Sequence, residues 1–241
     1  MIRSVIAFVV LICIGFSGFS QDKDSENIAT RVNIPGSFLV DIGVNLPIGE
    51  PANFDQGFWG SRTLNLYYQY PIRISHSNFS LVPGFGVGLE RFKMNNNYTL
   101  SSQPGVDGNF ELVLADTVTL YPGTDKSMII ANYFDIPLEL RFDTQPDNLS
   151  RSFNIAVGGR FGVLFDGSTK IRYKQDGETK KIKDKQNHGL NDIRYGFYTR
   201  LGIGGLNFFF MYNTSTLFKT DKGPDKTDMN TMTFGISING F

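Results

Sequence analysis

Residues 128–142 read Met-Ile-Ile-Ala-Asn-Tyr-Phe-Asp-Ile-Pro-Leu-Glu-Leu-Arg-Phe. Phe134, Ile136, Leu138, Leu140 and Phe142 fall on one face of an extended chain, opposite Asp135, Glu139 and Arg141. Side chains along a strand point alternately to its two faces, so this alternation predicts a strand with one apolar and one polar side. The period recurs elsewhere. Phe38, Val40, Ile42, Val44 and Leu46 oppose Ser37, Asp41, Gly43 and Asn45. Leu64, Leu66, Tyr68, Tyr70, Ile72 and Ile74 oppose Thr63, Asn65, Gln69 and Arg73. Phe153, Ile155, Val157, Phe161, Val163 and Phe165 oppose Asn154, Gly158, Arg160 and Gly162. About eight strands emerge, near 37–47, 61–75, 78–92, 128–142, 152–166, 191–203, 206–217 and 229–240.

The connectors between them alternate in length. Those around Ser75–Ser77, 143–151 and Gly204–Gly205 are short; those at about 48–60, 93–127, 167–190 and 218–228 are long. Tight turns at one end and extended loops at the other are the asymmetry of an outer-membrane barrel. The chain is therefore expected to be all-β, an eight-stranded antiparallel up-and-down transmembrane β-barrel over 37–241. Both termini and the short turns would be periplasmic and the long loops extracellular. Pro137, which has no N–H to donate to a ladder, predicts a bulge or kink within its strand.

Alternation does not say whether the apolar face meets lipid or a core, since a soluble ligand-carrying barrel shows the same period. The twelve lysines do: Lys23, Lys93, Lys126, Lys170, Lys174, Lys180, Lys181, Lys183, Lys185, Lys219, Lys222 and Lys226 avoid the centre of every strand. A sheet face in water would carry several. The polar faces carry Gly, Asn, Ser, Asp, Glu and Arg instead, as suits the filled interior of a narrow barrel, which leaves lipid for the apolar face.

Residues 1–20 read as a secretory signal peptide: Arg3, the apolar run Val5–Gly15, then Ser17, Gly18 and Ser20 before a cut at Gln21. Residues 21–36 form a periplasmic tail. The single cysteine, Cys13, lies in the signal, and Ile12 before it argues against lipidation, so the mature chain is expected to hold no disulfide or thiol chemistry. Past Arg3 the charges nearly cancel, which excludes a nucleic-acid binder. Phe241 ends the chain as an aromatic, a common mark of barrels handed to the outer-membrane assembly machinery. It lies one residue out of step with Met232, Phe234, Ile236 and Ile238, so a bulge at Asn239–Gly240 is expected.

The segment Tyr133–Phe142, with its Asp135-Ile136-Pro137-Leu138, is similar to the Ile-Pro-Leu strand of PorT-like outer-membrane β-barrel proteins of the Bacteroidota. Asn154–Gly159 and Tyr195–Gly204 resemble that family's glycine-containing strands. The resemblance implies an eight-stranded outer-membrane barrel, with a member in the type IX protein secretion system, and brings no catalytic residues.

By parity Asp41, Arg73, Glu90, Asp135, Glu139, Arg141, Arg160, Arg194 and Arg200 point inward. Charges in so narrow a space must pair. The expectation is an Arg–carboxylate network plugging the barrel; a narrow or gated channel filtered by the same network is the functional alternative. His76 and His188 fall at opposite ends. His188 with Asp192 and a serine would resemble a lipid A-modifying site, but the spacing favours a solvated loop histidine. No catalytic, cofactor or metal residues are therefore expected.

Asp176-Gly177, between Thr169–Tyr173 and Thr179–Ile182, predicts a hairpin beyond the membrane whose lysines are solvated or touch lipopolysaccharide phosphates. Phe110–Leu120 predicts a second hairpin in the longest loop, and Phe54, Phe58 and Trp59 in the first loop are expected at the barrel's base or in its aromatic girdle. The functional expectation is a non-enzymatic scaffold or subunit of an envelope or protein-secretion (type IX-like) assembly. Its partners would be outer-membrane lipid, lipopolysaccharide and envelope or secretion-complex proteins, with no cofactor. A small gated pore and a lipid A-modifying enzyme are the alternatives.

Overall fold

The computed structural model describes residues 36–96, 98–104 and 110–240; the expected signal peptide over 1–20, residues 21–35 of the expected tail and Phe241 lie outside them. Twelve strands follow in order: β1 (Ser37–Ile48), β2 (Arg62–Gln69), β3 (Ile72–Arg73), β4 (Phe79–Met94), β5 (Tyr98–Pro104), β6 (Phe110–Asp116), β7 (Thr124–Asp143), β8 (Phe153–Gln175), β9 (Glu178–Asp184), β10 (Ile193–Ile203), β11 (Leu206–Asn213) and β12 (Asn230–Asn239). Eight of them close a ring: β10, β11, β12, β1, β2, β4, β7 and β8, with β8 pairing back onto β10. Every pairing is antiparallel. The expected eight-stranded barrel is present, and its closure leaves no edge on the ring.

The other four strands are additions. β3 continues β2 after a break at Tyr70-Pro71 and pairs with β4 near one short turn. β5 and β6 form a separate two-stranded hairpin in the longest loop. β9 folds back on the end of β8 through Asp176-Gly177, both at positive φ, as a two-residue type I′ connection requires. β7 and β8 thus extend well past the ends expected from alternation.

The bulge expected at Pro137 is not there. Pro137 and Gly84 drop out of the β4–β7 ladder, but Pro83↔Leu138 and Gly86↔Asp135 hold one register across the gap. The missing N–H is absorbed as two unpaired positions. Register shifts lie instead in the β7–β8 ladder, between Asn132↔Asp166 and Tyr133↔Leu164, where Phe165 is the extra residue, and between Thr124↔Tyr173 and Lys126↔Arg172, where Asp125 is. Nor is there a bulge at Asn239: β1 and β12 keep one register from Ile48↔Asn230 to Leu39↔Asn239.

The apolar face points outward all round, with Ile136 62%, Phe197 69% and Phe208 69% exposed. An apolar belt this continuous is far larger than a water-soluble surface tolerates, and a hydrocarbon layer is what covers it. In the first loop Phe54 is buried, while Phe58 and Trp59 face outward, stacked edge to face at 5.1 Å.

Inside, the polar side chains occupy the middle of the lumen. An apolar cluster lies at the long-loop end, where inward Phe92, Met94, Ile129 and Ala131 meet loop residues Phe54, Leu190, Leu217, Phe218 and Met229. Tyr198, Phe209 and Met211 form a smaller one. Ile136→Arg, placing a charge in the middle of the outward belt, should lower stability in vesicles by about 2–4 kcal/mol, read from the urea midpoint. An unchanged midpoint would mean that this face is not in hydrocarbon.

Candidate functional site

Inward parity on the eight ring strands brings seven charged residues to the middle of the lumen, all at most 3% exposed: Asp41, Glu90, Asp135, Glu139, Arg160, Arg194 and Arg200. They form two clusters. In the first, Arg194 of β10 donates from Nη1 to Glu90 at 2.6 Å and from Nε to Asp135 at 3.0 Å, with Nη2 also on Asp135. Arg160 of β8 donates from Nη2 to the same Glu90 at 3.0 Å and to Asn213 of β11 at 2.8 Å. Tyr67 of β2 donates its hydroxyl proton to Asp135 at 2.7 Å, and the Arg194 guanidinium lies 4.0 Å over the Tyr133 ring.

In the second cluster Arg200 of β10 sits between two carboxylates. It donates from Nη2 to Asp41 at 2.9 Å, from Nη1 to Glu139, and from Nε to Ser237 of β12 at 3.2 Å. Asp41 accepts two further bonds, from Ser237 at 2.6 Å and Asn65 of β2 at 3.2 Å. The Arg200 guanidinium also lies 4.5 Å over the Tyr198 ring.

Every ring strand contributes at least one group, so the network ties the barrel across its own diameter. Room for the Arg194–Asp135 pair comes from two glycines. A Cβ at Gly88 of β4 would fall on Arg194 and Asp135, and one at Gly162 of β8 on Asp135.

Two residues expected in this network stand apart. Arg141 is buried, but its nearest carboxylate is Asp143 at 3.9 Å toward the short-turn end, and its Nε has no hydrogen bond. Arg73 is not in the lumen. The strand breaks at Pro71, and Arg73 lies past the end of the barrel, donating to Asp147 at 2.7 Å and to the Ser77 carbonyl at 2.8 Å. Parity counts residues along a strand but does not see where the lumen stops. Tyr67, Tyr133 and Tyr198 are members that the sequence reading missed. Their odd–even position carried the signal, and their aromatic character disguised it.

The alternative site around His188 is also changed. His188 is 8% exposed, not solvated, with Nε2 3.6 Å from Asp184 Oδ2 and no hydrogen bond on that nitrogen. Burial pushes its imidazole below the usual range, against the opposing pull of Asp184. Asp192 is engaged elsewhere, by Lys219 at 2.6 Å and Asn187 at 2.9 Å. The three-group arrangement of nucleophile, base and orienting acid is not assembled. Among the described residues no cluster of His, Cys, Asp and Glu could hold a metal ion.

The network generates a stability test. Arg200→Met would leave Asp41 and Glu139 buried without a cation, at a cost of about 3–5 kcal/mol. Combining it with Asp41→Asn and Glu139→Gln should recover most of that loss, because it is the unpaired charges that destabilise. Urea midpoints of the single and triple variants measure both. A loss below about 1 kcal/mol for Arg200→Met would show that the network does not hold the ring.

Two crystal structures of Ail, the attachment invasion locus protein of Yersinia pestis, match 86% of this chain and 100% of theirs. The identity is 13% with a TM-score of 0.34 for the complex with the heparin analogue sucrose octasulfate, and 12% with 0.35 for the protein alone. A porin mutant of Rh. blastica matches 85% of this chain at 7% identity, with a TM-score of 0.19. No curated protein matches the sequence. Residues 19–218 match the model of the outer membrane protein beta-barrel domain, and the chain belongs to that family of outer-membrane proteins.

Proposed function

We propose that this outer-membrane barrel is a non-enzymatic scaffold or subunit of an envelope assembly of the protein-secretion (type IX-like) kind, with its termini and short turns in the periplasm and its long loops outside the cell. The observation that carries the reading is the closed interior. Paired charges fill the middle of the lumen, and the apolar cluster of Phe92, Met94, Leu190 and Phe218 seals the long-loop end. A lumen so filled in its middle leaves the outer face and the loops as the surfaces open to partners. The likeness of Tyr133–Phe142 to the PorT-like strand supports a secretion role over other envelope roles. The length contrast between the two sets of connectors supports the orientation.

Purification of the tagged protein from isolated outer membranes in mild detergent, followed by native mass analysis, tests the role. A stoichiometric envelope complex is expected; a lone monomer under all mild conditions would remove the subunit reading.

A small gated pore is the second reading, favoured by Nε and Nη1 of Arg160, which have no hydrogen-bond partner in the protein. Planar bilayers should stay silent across a wide voltage range with the wild type, and steady conductance would overturn the plug. Lipid A-modifying activity would need His188, so the lipid A profile of cells carrying His188→Ala should match wild type. A changed profile would revive the enzyme.

A further inference from the structure

At the long-loop end of the outward face the apolar belt gives way to cations, and strand register sets them against one another. On β2, Leu66 and Leu64 are followed on the same face by Arg62; on β4, Leu89 is followed by Arg91 and Lys93. On β7, read toward the loops, the outward row runs to Met128 and Lys126, and on β8 it ends at Lys170 and Arg172. Arg62 is directly paired with Arg91, and Lys126 with Arg172. Like charges facing each other across neighbouring strands are destabilising. Two such pairs lining one cleft need an anion.

The protein supplies little of one. These residues line a cleft of about 470 Å³ in which Asp125 is the one carboxylate against Arg62, Arg91, Lys93, Lys126 and Arg172. Asp125 is already held by Arg172 at 2.7 Å. Arg91 donates to Asn132 at 2.6 Å and to the Glu90 carbonyl, both uncharged. Asp166, the nearest further carboxylate, is shared between Asn132 and Lys183. Trp59, 76% exposed, lines the same cleft. An exposed tryptophan at this level is a membrane–water interface residue.

We propose that this cleft binds the phosphate groups of a phosphorylated glycolipid headgroup in the surrounding leaflet. The acyl chains would lie on the outward Leu64 and Leu66 face, and the phosphates among Arg62, Arg91, Lys126 and Arg172. Arginine recognises phosphate through paired N–H donors, and a cleft continuous with an apolar belt selects an amphiphile over a soluble anion. The proposal rests on the reading that the long loops lie outside the cell, where phosphorylated lipid A forms the leaflet.

The test is native mass spectrometry of the full mature protein in detergent with bis-phosphorylated lipid A, dephosphorylated lipid A or inorganic phosphate. Bis-phosphorylated lipid A is expected to bind one per monomer, with the other two at least tenfold weaker. The double variant Arg62→Gln/Lys126→Gln should bind at least tenfold more weakly, while Lys222→Gln/Lys226→Gln, of equal charge change in the exposed loop between β11 and β12 and away from the cleft, should bind as wild type. Faster gel migration before boiling reports that each variant is folded. Equal binding of dephosphorylated lipid, equal binding of inorganic phosphate, or equal loss in the Lys222/Lys226 variant would each overturn the site. Because isolated protein is used, the assay does not depend on sidedness. That is read separately from labelling of Lys181→Cys on whole cells with an impermeant maleimide, and absence of labelling would overturn the orientation alone.

Discussion

Arg194 and Arg200, six residues apart on β10, each reach across the lumen to carboxylates on the far wall. An eight-stranded ring leaves an interior only as wide as the side chains that fill it, so no water shell can solvate a charge there. Each of the seven mid-lumen charges finds its counter-ion on another strand. That requirement holds the two arginines between β1, β4 and β7 and makes Gly88 and Gly162 necessary beside them. It also makes closure of the ring and pairing of the charges a single event, since none of the partners is local in sequence. Glu90 and Arg194 are 104 residues apart, and Asp41 and Arg200 are 159.

The same constraint separates the barrel's parts. The lumen is taken up by closure: paired charges at mid-height, and an apolar cluster at the end where the loops fold inward. The surfaces that the ring does not need for its closure are two. One is the group of long connectors, stiffened by the β5–β6 and β8–β9 hairpins. The other is the rim where the outward belt turns cationic. A rim with arginine opposite arginine is poor design for stability alone, and its position at the edge of hydrocarbon gives it a natural counter-ion in lipid phosphate.

Much of this was legible in the residues. Alternation in 37–47, 128–142, 152–166 and 191–203 placed Phe134 and Ile136 outside and Asp41, Asp135, Glu139, Arg160, Arg194 and Arg200 inside, because side-chain period is a local property of an extended chain. Other features were hidden for identifiable reasons. Arg73 obeys the parity but lies beyond the lumen. The run Met128–Ala131 reads as apolar on both faces, because its inward members Ile129 and Ala131 meet the loop residues Leu190 and Phe218 rather than charges. Tyr67, Tyr133 and Tyr198 were passed over because aromatics are expected in the girdle, whereas here they support buried ions. His188 looked solvated because nothing near it in sequence shows that the neighbouring loops pack over it.

By itself, then, the sequence determined the strand content, the membership of each face and the choice of lipid over water for the apolar one. Those follow from period and composition, which act over a few residues. Tertiary structure alone decided which arginine meets which carboxylate, where the ladder breaks and shifts, and that Arg62 faces Arg91 while Lys126 faces Arg172. These depend on register between strands that are distant along the chain. Register is settled only when the whole ring closes and the mid-lumen charges meet their partners.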